Sequence, residues 1–198
     1  MAKQLLTEYI PISYSSLELN EAIKSNGTVR IKAILQRANA QNQNGRIYPK
    51  EILLRESDKY LKDFVQQRRA LGELDHPETR TVVNLANVSH NIVEMHWEGD
   101  DLIGIVEVLS TPSGNIIKEL MKCGIRLGIS SRGVGSVKPM GENTVQVEED
   151  FSLIAFDLVS NPSTQGAFLG EGVNVSLTQN RNNRINLLIS DFFCQVSK

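Results

Sequence analysis

The sequence predicts an α+β fold, mainly antiparallel strands forming a β-barrel or sandwich with helices packed outside it. Strand-like alternation recurs along most of the chain, and only two segments, beginning near Pro49 and Pro112, have convincing helical periodicity. No repeat architecture is present. A chain of 198 residues, 40% of them hydrophobic, can bury a full core, so one main domain with room for tails is expected.

Residues 1–27 show little periodicity and contain Pro11 and Asn26-Gly27, and read as an extended or partly ordered lead-in. From Thr28 to Gln36, Val29, Ile31, Ala33 and Leu35 alternate with Arg30 and Lys32, the period of a half-buried strand. A polar loop ends at the turn dipeptide Asn44-Gly45. Tyr48-Pro49 then opens a helix that runs to about Arg68 and repeats Leu53, Leu54, Tyr60, Leu61, Phe64 and Val65 on one face. Val88–Trp97 and Leu102–Leu109 flank Glu98-Gly99-Asp100-Asp101 as a hairpin. Thr111-Pro112 caps a second helix expected to bury Ile116, Ile117, Leu120 and Met121 and to end at Gly124. A strand is expected from near Ile125, and another over 144–159 that is apolar on both faces and hence buried. Asp157, on its Leu153 and Ala155 side, needs a hydrogen-bond donor there. After Phe168 the pattern degrades into a polar segment.

Composition narrows the functional classes. A net charge of −2 and a pI near 6.0 give no general electrostatic reason to bind nucleic acid or an anionic membrane. No apolar run of about 18 residues and no signal-peptide core are present, so a cytoplasmic protein is expected. Two cysteines, Cys123 and Cys194, form neither a disulfide framework nor a metal motif, and Cys123 reads as a small core residue. No metal or organic cofactor is expected.

The chemistry gathers in three stretches. Gly128-Ile129-Ser130-Ser131-Arg132-Gly133-Val134-Gly135-Ser136 offers hydroxyls beside backbone N–H groups, Leu71-Gly72-Glu73-Leu74-Asp75-His76-Pro77 offers an imidazole, and the strand before Asn161-Pro162-Ser163 offers Asp157. Serine attacks poorly unless a base takes its proton and a third group orients that base. Successive strand side chains point opposite ways, so both serines cannot face one histidine; Ser130 is chosen. His90 and His96 are rival orienters to Asp157, on one face if Val88–Trp97 is a single strand. An arginine partner for Asp157 is the structural alternative. Nucleotide binding by the glycine-rich stretch is poorly supported, since no Gly-x-x-x-x-Gly-Lys-Ser/Thr motif occurs.

These blocks, with Asn44-Gly45-Arg46-Ile47-Tyr48-Pro49-Lys50, resemble in content and order the prohead core proteases of T-even-type tailed phages, serine peptidases related in fold to herpesvirus assemblin. The resemblance covers roughly residues 28–170. It implies a herpesvirus-protease-like β-barrel with Ser130 as nucleophile and His76 as base, and favours Asp157 as the third member. Asp75 stands where close relatives would carry asparagine, which leaves a second carboxylate beside His76 in play.

The resemblance further implies cleavage after glutamate in Leu/Ile-x-Glu sites. Leu19-Asn20-Glu21-Ala22 and Leu169-Gly170-Glu171-Gly172 fit that pattern. Self-cleavage at both would divide the chain into a lead-in or propeptide (1–21), a protease domain (22–171) and a removable tail (172–198). Arg132, Arg126 and Arg80 are candidates for the glutamate pocket. Arg132-Gly133 and the loop from Val159 to Thr164 are candidates for the oxyanion hole, with Ser131 a further substrate-binding candidate. Procapsid scaffold and major capsid proteins as substrates, self-association, and a place inside the procapsid core in the host cytoplasm are implied too. The competing reading is a non-catalytic procapsid scaffold or assembly module of the same fold.

Overall fold

The computed structural model describes residues 3–11, 29–42, 44–75, 77 and 80–160. They comprise β1 (Gln4–Pro11), β2 (Val29–Arg37), β3 (Arg46–Ile47), α1 (Lys50–Tyr60), β4 (Leu71–Glu73), β5 (Val88–Glu98), β6 (Asp101–Val108), α2 (Pro112–Lys122), β7 (Gly128–Gly135), β8 (Val137–Gly141), β9 (Thr144–Val147) and β10 (Ser152–Val159). A π-helical turn, Leu61–Val65, prolongs α1. Among these residues no helix is long and apolar enough to cross a membrane.

The strands make three ladders, ordered β1-β7-β10, β2-β6-β5-β4 and β3-β9-β8. The fold is thus α+β and mostly antiparallel as expected, but among the described residues the ladders do not close into a hydrogen-bonded barrel. The first two sheets meet where β4 reaches β10. Leu74 bridges Leu158 in parallel, and the Asp75 N–H donates to the Leu158 carbonyl at 2.7 Å. Between the layers lies one apolar core that includes Leu35, Tyr48, Leu53, Ile92, Ile129 and Phe156. Burying each such side chain contributes about 1.5–3 kcal/mol.

Both helices form where expected. α1 begins after Pro49, and its tail reaches Arg68, which takes a left-handed φ of 52°. Thr111 caps α2 by accepting the Gly114 N–H at 3.1 Å. Ile117 and Met121 are buried, but Ile116 is half exposed because α2 packs along one face only. Cys123 ends the same helix and is exposed, not a core residue. The β5-β6 hairpin turns at Gly99-Asp100 as expected.

Three readings of strands need correction. Residues 4–11 are not lead-in but β1, paired along its whole length with β7. Alternation hides this strand because its buried side carries Leu6 and then Glu8, a carboxylate. The strand expected over 144–159 is two, β9 and β10, parted by a turn in which Phe151 N–H bonds Glu148 O. The strand expected from Ile125 begins at Gly128.

Two buried titratable groups hold the layers with opposite pH dependence. Glu8 accepts from Gln36 Nε2 at 3.0 Å, and burial pushes its carboxyl up to about 7 from the usual 4.5. His90 is fully buried between Ser89 Oγ and the Phe156 carbonyl, each 2.9 Å away, and burial pulls it down to about 4 from the usual 6.5. Glu8 binds its proton more tightly folded than unfolded, so its stabilisation is full below pH 4.5 and lost as pH rises through 7. His90 binds its proton less tightly folded, so its stabilisation is full above pH 6.5 and lost as pH falls through 4. Between pH 4.5 and 6.5 the two slopes, each about 1.4 kcal/mol per pH unit, cancel. Glu8→Gln keeps an acceptor for Gln36 and removes one slope. The variant should melt with the wild type near pH 4.5 and roughly 5–10 °C above it at pH 8. Equal melting temperatures at pH 8 would contradict the assignment.

Candidate active site

β7 is buried on both faces, and its alternation sorts the serine stretch. Ser130 sits opposite Asp157 on β10, and Arg132, two residues on, shares that face. Ser131 sits opposite Glu8 and Phe156 on the other face. Both serines are buried. The structure therefore brings Ser130 and Asp157 together in adjacent strands and turns Ser131 toward the core. Gly133 follows because a Cβ there would lie 2.4 Å from the Phe151 ring, a packing reason for that glycine.

A bulge decides which side Asp157 takes. Leu153 pairs with Gly133 and Ala155 with Arg132, leaving Ile154 as the extra residue. Asp157 consequently shares its face with Ala155 but not, as alternation suggested, with Leu153. The face it occupies carries charge. Its Oδ1 accepts the Glu73 N–H at 3.0 Å and Arg132 Nη2 at 3.1 Å, while Oδ2 lies 2.8 Å from Arg132 Nε, a charge contact outside hydrogen-bond angles. The arginine partner is thus present. Burial raises the Asp157 carboxyl above its usual value, with the Arg132 charge and the Glu73 N–H pulling the other way.

Arg132, Glu73 and Asp157 are each fully buried. Arg132 Nη2 also meets Glu73 Oε1 at 3.1 Å, and Nη1 donates to the Arg80 carbonyl at 3.1 Å. Glu73 in turn accepts the Asn84 N–H at 3.1 Å and lies 3.5 Å from Arg80 Nη2. Arg132, offered as a glutamate-pocket cation, already has its charge committed. Arg80 and Arg126, both exposed, keep that role open. Glu73 escaped the sequence reading as a functional group because β4 is only three residues long and shows no period.

His76 lies outside the described residues, as do Glu21, Ala22, Glu171, Gly172 and the segment Asn161–Ser163. The residues flanking position 76 are described. On one side Leu74 and Asp75 are tied to Leu158, the neighbour of Asp157; on the other Arg80 is held by Arg132 and Glu73. Asp75 is exposed and adopts a left-handed φ of 60°.

The rival orienters separate. β5 is one strand, but Val93 is an extra residue between Ile92 and Glu94, so His90 and His96 fall on different faces. A carbonyl only accepts, so His90 carries its proton on Nε2 toward Phe156 and receives the Ser89 hydroxyl at Nδ1. It is a structural tie between β5 and β10. His96 is exposed and pairs with Glu98 at 2.9 Å.

Beside the site a groove of about 710 Å³ runs between α1 and the β10 bulge, lined by Lys62, Phe64, Arg69, Val82 and Ile154 among others. Tyr60 lies in its wall, edge-on to Phe156 at 5.5 Å; burial and the nearby Asp157 push its phenol pKa up. Among the described residues no group of three or more His, Cys, Asp and Glu could hold a metal ion.

Residues 13–178 match the family described as prohead core protein serine protease. The prohead core protein protease of Enterobacteria phage T4 is 34% identical over 142 residues, an alignment covering 70% of this chain and 66% of that protein. The chain thus spans just under two thirds of that relative's length. The structure of the bacteriophage T4 capsid assembly protease, gp21, matches with a TM-score of 0.70 at 27% identity, covering 82% of this chain and all of that one. With Ser130 and Asp157 paired across β7 and β10, and the family match spanning both, the chain belongs to the prohead core protein serine protease family.

Proposed function

We propose that this protein is a serine endopeptidase that matures a phage procapsid by cutting scaffold and capsid proteins, and itself, after glutamate in Leu/Ile-x-Glu sites. The observation that carries the reading is the cross-strand pairing of Ser130 with Asp157 inside a family of prohead proteases. His76 takes the Ser130 Oγ proton as oxygen attacks the scissile carbonyl, then gives it to the leaving amine; water, activated by the same imidazole, releases the acyl group. Asp157 orients the imidazole and stabilises its charged form. A carboxylate has about four lone-pair sites, so Oδ2 retains room for an imidazole N–H beside Arg132. The groove next to β10 mixes apolar walls with Lys59, Lys62 and Arg69, which outnumber its two carboxylates, Glu56 and Asp63, a surface that supports a peptide carrying both leucine and glutamate. The protein acts in the procapsid core within the host cytoplasm, and the resemblance to herpesvirus assemblin supports self-association.

The test is the intact mass of purified protein over time, beside Ser130→Ala, Ser131→Ala and His76→Ala. Fragments ending at Glu21 or Glu171 should form in the wild type and in Ser131→Ala, and be absent in Ser130→Ala and His76→Ala. A wild-type mass that never changes, with no cleavage of a Leu-x-Glu-Ala peptide, would favour the non-catalytic assembly module.

A further inference from the structure

We propose that Arg132 is a positioning residue that fixes the Asp157 carboxylate while also holding the Arg80 carbonyl, with Glu73 as its buried counter-ion. This rests on the roles given above to Ser130, His76 and Asp157. Arg132 is fully buried, and taking a guanidinium out of water costs several kcal/mol unless its partners are well placed. Packing alone would not require it, because an apolar side chain of similar length could fill the space. Its donors instead reach three separate pieces of chain: Asp157 on β10, Glu73 on β4, and the carbonyl of Arg80. A planar fork with five N–H donors can serve all three at once, whereas a lysine ammonium cannot hold that geometry.

The placement matters because of what lies between these anchors. Position 76 is bounded upstream by Asp75, bonded to Leu158, and downstream by Arg80, bonded to Arg132 and near Glu73. One guanidinium on the nucleophile's own strand therefore links the orienting carboxylate to Arg80. Arg132 has no exposed surface, so it cannot meet a substrate glutamate without giving up these partners.

The pH dependence of kcat/KM on a Leu-x-Glu-Ala peptide separates positioning from mere packing. The charged and titratable groups around Asp157 are Arg132 on β7, Glu73 on β4 with Arg80 behind it, Tyr60 on α1, and His90 of β5 at the adjoining Phe156 carbonyl. The acidic limb reports the coupled histidine–aspartate pair. Arg132→Gln removes a cation and should move that limb up by about 1–3 pH units, with roughly a 100-fold lower plateau. Glu73→Gln removes an anion and should move it down. Arg132→Lys keeps the charge, so the limb should stay near the wild-type position while the plateau falls.

Thermal melts accompany each variant. If Arg132→Gln does not fold, Glu73→Gln and Arg132→Lys still decide the question. Arg132→Gln and Glu73→Gln limbs that both stay in place while activity merely drops, a Glu73→Gln limb that moves up, or an Arg132→Lys limb that moves as far as that of Arg132→Gln would overturn the inference. With Ser130→Ala inert and the wild type active, that result would leave the protease reading standing. A wild type that does not cleave, or a Ser130→Ala variant that cleaves as fast, would instead bring down the protease reading and this inference with it.

Discussion

Asp157→Asn is expected to cut peptide cleavage by roughly 10³–10⁴-fold while leaving a folded protein. The amide keeps an oxygen for the Glu73 N–H, which Asp157 accepts at 3.0 Å, but no longer fixes the imidazole tautomer or offsets its positive charge. Both substitutions leave buried Arg132 with only Glu73 as a full charge partner; Asp157→Ala, which also removes the acceptor for the Glu73 N–H, should lose activity to the same degree and cost the more stability, about 3–5 kcal/mol. Peptide kinetics and denaturant melts on both variants measure the two effects separately. Cleavage by Asp157→Asn within a few-fold of the wild type, together with destabilised Asp157→Ala, would make Asp157 a counter-ion of Arg132 alone. The third member would then have to be sought elsewhere, with Asp75 the nearest carboxylate in sequence.

Much of the geometry of the candidate site was legible in the sequence because strand alternation is a reliable geometric rule over short distances. It separated Ser130 from Ser131, and it marked Asp157 as a carboxylate in need of a donor. It could not name the donor, since Arg132 and Glu73 come from strands far apart in the chain. Nor could it survive inserted residues. Val93 and Ile154 each add one position to a strand, which reverses every side chain beyond it. That is why His90 and His96 part company and why Leu153 leaves the Asp157 face. A bulge has no strong compositional mark, and neither Val93 nor Ile154 carries one.

The fold was legible where caps and apolar periods agree, as in α2 with Thr111, Pro112 and Gly124. It was illegible where a buried face is polar. β1 buries Glu8, and β5 buries Ser89, His90 and Asn91 in succession, so hydrophobic patterning understates how deeply these strands lie. Two of the polar residues there have tertiary partners, Gln36 for Glu8 and the Phe156 carbonyl for His90. Local sequence contains no record of those pairings.

The junction of the two larger sheets depends on a single missing side chain, and Gly72→Ala should expose this. A Cβ at position 72 would lie 2.0 Å from the Phe156 carbonyl oxygen and 2.3 Å from the His90 ring. No φ strain is involved; the obstacle is contact on both sides. The His90 ring can rotate only by breaking its 2.9 Å bond to that same carbonyl, and the carbonyl belongs to β10, next to Asp157. The added methyl must therefore push β4 away from β10, at a cost of about 3–4 kcal/mol. Because Glu73 N–H holds Asp157 and Leu74 bridges Leu158, the displacement passes directly into the site. Thermal melts should show the loss of stability, and peptide cleavage measured well below the variant's melting temperature should still be at least about tenfold slower. Adding His90→Ala relieves one contact but not the carbonyl, so the double variant should recover little of either. Full recovery in the double variant would mean that the ring alone blocks position 72 and that the β4–β10 spacing tolerates a methyl group.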